Sequence, residues 1–347
     1  MKEGFTVAGR RIGAGCPTFV VAEIGINHGG DEAVAAEMIE AAARAGADAI
    51  KLQTIDAGES YAPDTPSYRE FKGKEFGLDA LVRLDELASR KGVILFSTPG
   101  DFKSLALVVQ AGMPMVKISS GLLTNLPLIR AAAETGLPLI LSTGMAYLEE
   151  VKEAVSTARK AGADRLAVLQ CTSLYPAPAD QLNLRAMQQL DEATGVPVGY
   201  SDHSRGTLAC VAAVAAGATI LEKHFTLDRA APGADHAISA TPAELANLIQ
   251  QVRIVERMLG RAVKEPTAAE TPLRAARHRY LVAHHDIAVG EVFTPHNVAL
   301  KRVLPEVSGR GTKGLPARCY DDVLGRRAAS DIHENQVIGA SMVNGFP

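Results

Sequence analysis

The sequence predicts an α/β protein: a (β/α)8 TIM barrel followed by a small β-rich domain. Three observations predict it. Helical stretches end at Gly46, Gly92, Gly112, Gly136, Gly162, Gly195 and Gly217, and a short apolar run follows each. A glycine there supplies the left-handed residue that closes a helix. With the opening run at 18–24, these make eight apolar runs, the number a closed (β/α)8 barrel requires. Nearly every run stops on polar or charged residues: Glu23, Lys51 and Gln53, Ser97 and Thr98, Lys117 and Ser120, Ser142, Gln170 and Thr172, Ser201 to His203, then Glu222 to His224. Barrels of this kind carry their chemistry at the C-terminal ends of their strands.

The elements follow in order. Residues 5–12 read as a hairpin covering the barrel bottom. Strands are expected near 18–24, 48–53, 93–98, 115–119, 138–142, 166–171, 197–201 and 219–224. Residues 31–45 open with an acidic turn and run into Gly46, the signature of a complete helix. Residues 148–161 and 243–259 have the same periodicity. One connection, 54–77, is unusually long and holds Pro63, Pro66 and Gly73. Long connections in compact domains tend to be functional, and this one is a candidate lid or substrate wall. The barrel domain is placed at 1–262, a partly helical linker at 263–279 and the β-rich domain at 280–347. In the last, Asp-Ile stretches at 286–292 and 331–337 look like a pseudo-repeat of short strands. A unit of about 65 residues is small for an independent core, so docking against another surface would support it.

Composition narrows the function. A net charge of −3 gives no cause to expect nucleic acid or membrane binding. The absence of Trp argues against base-stacking platforms. Cys16, Cys171, Cys210 and Cys319 are scattered with no C-x-x-C pair, so neither a zinc knuckle nor a disulfide framework is suggested. Cys171 and Cys210 read as thiols buried in apolar surroundings. The N-terminus lacks the apolar core of a signal peptide. No apolar run approaches the ~18 residues of a membrane span. The expectation is a cytoplasmic protein.

The strand ends carry the candidate site. Glu23, Asn27 and His28 follow the first strand; a carboxylate there can act as general acid/base, hold a hydroxyl, or pair with a neighbouring lysine. Lys51 and Lys117 end strands two and four. Inward lysines need anionic company, either a small multiply charged ligand held with Thr98, Ser120, Ser142 and Ser201, or Glu23 and Glu222. A phosphate plus a carboxylate is the natural ligand. His203 and His224 end adjacent strands and suit a divalent transition metal, or serve as general acid/base. Asp235 and His236, after Gly233, can return to the mouth to bind polyol hydroxyls or be structural. A Lys51–Lys117 pair would also suit a Schiff-base aldolase.

Ten motifs in order carry a resemblance: A-E-I-G-I-N-H at 22–28, K-L-Q at 51–53, S-T-P at 97–99, K-I-S-S-G at 117–121, N-L-P-L-I at 125–129, L-S-T-G-M at 141–145, C-T-S-L-Y-P at 171–176, S-D-H at 201–203, E-K-H-F at 222–225 and P-G-A-D-H at 232–236. With them the chain resembles the sialic acid (nonulosonic acid) synthase family over nearly its whole length. The C-terminal unit resembles that family's antifreeze-like (SAF) domain. The resemblance implies condensation of phosphoenolpyruvate with an N-acyl mannosamine-type sugar, giving a nonulosonic acid and phosphate by C–O cleavage. It implies that Lys51, Thr98, Lys117, Ser120, Ser142 and Ser201 hold phosphoenolpyruvate. His203 and His224 would ligate a divalent metal, Mn²⁺ in the first place with Mg²⁺ or Co²⁺ as alternatives, which activates the sugar aldehyde. Glu23 would serve the sugar oxygen and the reacting water. Gln53, Ser173, Tyr175, Asp235 and a capping arginine would contact the sugar. That arginine comes from the partner's small domain in a swapped homodimer; Lys301-Arg302 matches its pattern, with Arg310 competing.

Three positions depart from the family pattern. Leu122 stands for an acidic residue, Ser173 for an asparagine and Gly100 for a phenylalanine. They bear on the acceptor more than on the reaction, and a diacetamido-trideoxy hexose, as in legionaminic or pseudaminic acid synthesis, is the alternative acceptor. Another barrel aldolase or a metal-dependent sugar isomerase is a competing enzyme reading. A non-catalytic glycan-binding protein is the alternative of another class.

Overall fold

The computed structural model describes residues 4–303 and 314–347. Two antiparallel strands, β1 (Phe5–Val7) and β2 (Arg10–Ile12), form the expected hairpin. Eight parallel strands follow: β3 (Phe19–Gly25), β4 (Ala49–Thr54), β5 (Ile94–Pro99), β6 (Val116–Ile118), β7 (Leu139–Ser142), β8 (Leu166–Cys171), β9 (Val198–Asp202) and β10 (Ile220–His224). They close into a barrel in which β10 pairs with both β9 and β3. The eight-run reading is borne out strand for strand.

The helices are α1 (Glu32–Ala45), α2 (Ala57–Ser60), α3 (Pro66–Phe71), α4 (Leu78–Arg90), α5 (Phe102–Gln110), α6 (Leu126–Glu134), α7 (Leu148–Lys160), α8 (Ala186–Thr194), α9 (Leu208–Ala215), α10 (Pro242–Leu259), α11 (Thr271–Arg277) and α12 (Tyr320–Val323). Helix α1 starts where the Asp31 carboxylate accepts from the Ala33 and Val34 amides, and stops at Gly46, whose φ of 94° a residue with a Cβ would resist.

Parallel strands are covered on both faces, and two cores result. One lies between the strands and the helices, built from residues such as Ile50, Leu52, Met38, Leu128 and Leu248. The other fills the barrel: Phe19, Val21, Ala49, Phe96, Met115, Ile140, Leu169 and Ile220 pack with Phe5, Val7 and Ile12 of the hairpin. The hairpin therefore plugs the N-terminal end of the barrel.

The 54–77 connection, expected to be irregular, contains α2 and α3. Asp56 caps α2 from its side chain, and Thr65 caps α3 with Pro66 in the first turn. Pro66, which read as a loop signal, here starts a helix.

The chain divides into two compact units, Met1–Gly260 and Arg261–Pro347. In the second, β11 (Tyr280–Ala283) pairs antiparallel with β12 (Val298–Lys301) over a core of Leu281, Ile287, Phe293, Ile332 and Ile338. The two Asp-Ile stretches meet each other. Ile287 and Ile332 exchange backbone hydrogen bonds of 2.8 and 2.9 Å. Asp286 accepts from the Glu334 amide and Asp331 from the Val289 amide, both at 2.7 Å. Among the described residues no helix is long and apolar enough to cross a membrane.

Candidate active site at the C-terminal end of the barrel

Side chains alternate along a strand, so a residue two positions beyond an interior one faces the same interior. Every barrel strand takes this step from the apolar interior to its C-terminal end. Above Val21, Ala49, Phe96, Met115, Ile140, Leu169, Gly199 and Ile220 stand Glu23, Lys51, Thr98, Lys117, Ser142, Cys171, Ser201 and Glu222. An apolar layer thus carries a polar one, which floors a cavity of about 330 Å³.

Within the polar layer the charges compensate. Lys51 pairs with Glu23 and donates to Thr98 Oγ1 at 3.1 Å. Lys117 donates to Ser142 Oγ at 2.6 Å. Glu222 lies between the two lysines, 3.8 Å from Lys51 and 3.7 Å from Lys117, and accepts from Ser201 Oγ at 2.9 Å. Both lysines are almost fully buried, 3% and 1% exposed. Burial raises the Glu23 carboxyl against the pull of Lys51. For Glu222 burial acts the same way, but Lys117 and Lys51 outweigh it and hold the carboxylate below its usual range. Burial lowers Lys117; for Lys51 the same burial is overcome by Glu222 and Glu23, which raise it.

The cavity brings together Glu23, Lys51, Gln53, Thr98, Lys117, Ser120, Ser142, Ser173, Tyr175, Ser201, His203 and His224. Gln53 Nε2 donates to Glu23 Oε1 at 3.1 Å. Tyr175 stacks over His203 with ring centroids 4.1 Å apart, and the two imidazoles are 5.2 Å apart. Gly25 is needed beneath this group: at φ 52° a Cβ there would lie 2.9 Å from Glu23 Oε1.

A second cavity of about 800 Å³ shares Gln53, Phe71 and Tyr175 with the first and includes Asn27, Glu70, Lys74 and Asp235. Asp235 Oδ2 lies 3.5 Å from His224 Nδ1. His236 lines it too, with Nδ1 engaged by Thr226 Oγ1 at 2.7 Å. Asn27 donates to the Phe225 carbonyl and to Ser239 Oγ. His28 stacks on Phe76 at 4.3 Å, under the end of the long connection.

The residues fit a metal held by two imidazoles and completed by ligand oxygens. His203 Nδ1 contacts the Thr172 carbonyl at 2.8 Å, which leaves Nε2 as its free nitrogen. His224 Nδ1 is buried without a hydrogen-bond partner. Burial, His203 and Lys51 push His224 well down, so its ring is neutral and its lone pair available. Among the described residues no group of three or more His, Cys, Asp or Glu forms a complete protein cage.

The structure bears on several expectations. Of the two sources of anionic company left open for the lysines, Glu23 and Glu222 are both in place, so the floor is less cationic than two lysines suggest. Glu222 belongs at its centre; the alternation in E-K-H, which turns Glu222 and His224 the same way, was the signal for it. Cys210 is buried in the helix-side core as expected, whereas Cys171 is buried on the polar side of its strand. Cys171 Sγ lies in the cavity wall, 3.6 Å from His203 Nδ1, and Cys210 Sγ is 3.4 Å from Asp202 Oδ2. Leu122 packs on the helix-side core. Gly100 sits under the wall: a Cβ there would come within 2.8 Å of Ile55 and Ser60. Ile55, Tyr61 and Phe71, all from the long connection, line the cavity; no motif pointed to them. Arg302 is exposed in the second unit. Arg310 lies outside the described residues.

Comparison with known proteins agrees with this architecture. Residues 38–264 match the NeuB family and residues 278–344 the SAF domain. The chain is 37% identical to the N,N'-diacetyllegionaminic acid synthase of Campylobacter jejuni, over 92% of this chain and 98% of that protein. It is 31% identical to the human N-acetylneuraminate-9-phosphate synthase, over 97% and 95%. The crystal structure of N-acetylneuraminic acid (sialic acid) synthetase from Leptospira borgpetersenii in complex with citrate superposes with a TM-score of 0.76, at 38% identity, covering 80% of this chain and 98% of that one. The chain therefore belongs to the NeuB family, and is an enzyme of the C–C bond-forming transferase type with a SAF domain at its C-terminal end.

Proposed function

We propose that this enzyme condenses phosphoenolpyruvate with the open-chain aldehyde of an N-acylated amino hexose, giving a nonulosonic acid and phosphate. The observation that carries the reading is the convergence of two buried lysines, their hydroxyl partners and two imidazoles in one cavity. Lys51, Lys117, Thr98, Ser120, Ser142 and Ser201 hold the phosphate and carboxylate, and their burial fixes the enol carbon against the acceptor. His203 and His224 would hold a divalent metal, which would supply Lewis-acid polarisation of an acceptor carbonyl. We take Mn²⁺ as the ion in the first place, with Mg²⁺ and Co²⁺ as alternatives.

As the enol carbon bonds to the aldehyde carbon, Glu23, raised by burial, releases its proton to the forming alkoxide oxygen. The resulting carboxylate accepts a proton from the water that adds to the phosphate-bearing carbon. The hydroxyl so formed gives its remaining proton to the departing phosphate, which leaves with its bridging oxygen as that carbon becomes the ketone. Gln53, Ser173, Tyr175 and Asp235 position the sugar, and Arg302 of a partner subunit completes the site in a swapped homodimer. A second reading keeps the reaction and changes the acceptor to a diacetamido-trideoxy hexose. The apolar side chains of Ile55, Tyr61 and Phe71 favour it, since a deoxy terminus presents a methyl group.

The test is phosphate release from phosphoenolpyruvate across N-acyl mannosamines and diacetamido hexoses, with and without Mn²⁺. Release that needs both an amino-sugar aldehyde and the metal is expected, and the preferred acceptor separates the two readings. No release across the panel overturns the reaction. A covalent adduct trapped by borohydride would replace it with Schiff-base chemistry.

A further inference from the structure

A buried ion pair is interleaved with the two histidines. Asp202 immediately precedes His203, and Lys223 immediately precedes His224. Because side chains alternate, the histidines face the cavity while Asp202 and Lys223 face the helix layer. They are direct neighbours in the β9–β10 ladder, their charged atoms are 2.8 Å apart, and their side chains are 0% and 1% exposed.

Around them the layer is apolar, with Ala209, Ala213, Val214 and Leu221. Two charges there are costly to desolvate, and replacing such a pair by apolar residues of similar size is often neutral or stabilising. Stability therefore does not explain the pair; its contacts do. Asp202 Oδ1 accepts from the Ser204 amide at 2.9 Å and from the Tyr200 hydroxyl at 3.1 Å. Lys223 Nζ donates to the Ser204 carbonyl. Both backbone groups of Ser204 are thus held by the pair. On its other side the His203 carbonyl accepts from the Ala177 amide at 3.0 Å. The backbone is thus held at His203 and at the residue after it, and Lys223 holds the strand that carries His224 in the same register.

We propose that Asp202 and Lys223 are positioning residues for the two-histidine metal site, setting the spacing of His203 and His224 before any ligand arrives. This rests on the metal reading given above. Partners that orient metal ligands typically contribute 10–100-fold in metal affinity.

The experiment measures Mn²⁺ binding to the full-length protein by electron paramagnetic resonance, without substrates. The double variant Asp202→Leu/Lys223→Met removes both charges at similar volume, so its melting temperature should stay at or above the wild-type value. Its Mn²⁺ affinity should fall about 10–100-fold, while phosphoenolpyruvate binding is kept. Tyr200→Phe removes a single donor to Asp202 and serves if the double variant does not fold; a few-fold weakening is expected. Wild-type Mn²⁺ affinity in whichever of these variants folds overturns the proposal. Wild-type protein that binds no more Mn²⁺ than His203→Ala overturns the metal reading and the proposal together, an outcome distinct from the first.

Discussion

Glu222 shows how one residue sets the electrostatics of the cavity floor. It lies within 4 Å of both lysines and is hydrogen-bonded by Ser201. Glu222→Gln leaves two buried ammonium groups facing one fewer carboxylate, and a buried pair broken on one side costs about 3–5 kcal/mol. We expect a lower denaturation midpoint in this variant, and a larger thermal shift on adding phosphoenolpyruvate than in the wild type, because the anion replaces the lost charge. Equal shifts would argue against the lysines as the anion site. Gly100 acts through absence. Its missing Cβ is where Ile55 and Ser60 rest, and Ser60 is tied to Asp101 Oδ2 at 2.8 Å. Gly100→Phe should push this wall away, raising KM for the sugar at least tenfold while KM for phosphoenolpyruvate stays unchanged. Steady-state kinetics varying each substrate separates the two.

At the scale of elements, the long connection matters most. It brings α2 and α3 over the cavity and is pinned at its far end by the stack of Phe76 on His28. His28 Nδ1 accepts from the Gly30 amide at 3.0 Å, and burial lowers its pKa to about 4. The sign follows from the unfolded chain, where a histidine titrates near 6.5. The unfolded state binds the proton first, so the His28 contribution is complete above about pH 6.5 and is lost as pH falls toward 4. Each pH unit within that window costs up to about 1.4 kcal/mol. His28→Asn should flatten the fall of the melting temperature between pH 6.5 and 4; an unchanged slope in thermal melts would show that His28 does not couple to folding. The same element marks a limit of sequence reading. Its prolines and glycine read as loop, yet Pro66 and Thr65 start a helix, because proline is as good an N-terminal helix residue as it is a breaker.

For the whole molecule, the proposed swapped dimer makes a direct prediction. Arg302→Ala and Lys117→Ala should each be impaired alone, since every site in either homodimer lacks one member. Mixing and re-equilibrating the two should restore activity, because one site of each heterodimer is then intact. Phosphate release in the mixture checks this, and no recovery in a verified heterodimer would place Arg302 outside the partner's site. Much of this molecule was written in period and punctuation. Seven glycines, eight apolar runs and their polar ends were enough for the barrel and for the side of it that carries the chemistry, because strand alternation and helix capping are local rules that neighbours in sequence enforce. Lys51, Lys117, His203 and His224 were legible for the same reason. What the sequence could not decide was which charges meet. Glu222 between the lysines, Cys171 beside His203, Leu122 half-buried against the helix-side core and Ile55, Tyr61 and Phe71 in the cavity wall all depend on barrel closure and on a connection folding back over it. Those contacts join residues tens to hundreds of positions apart, and only tertiary packing sets their distances and, with them, the burial and Coulomb energies that give the site its chemistry.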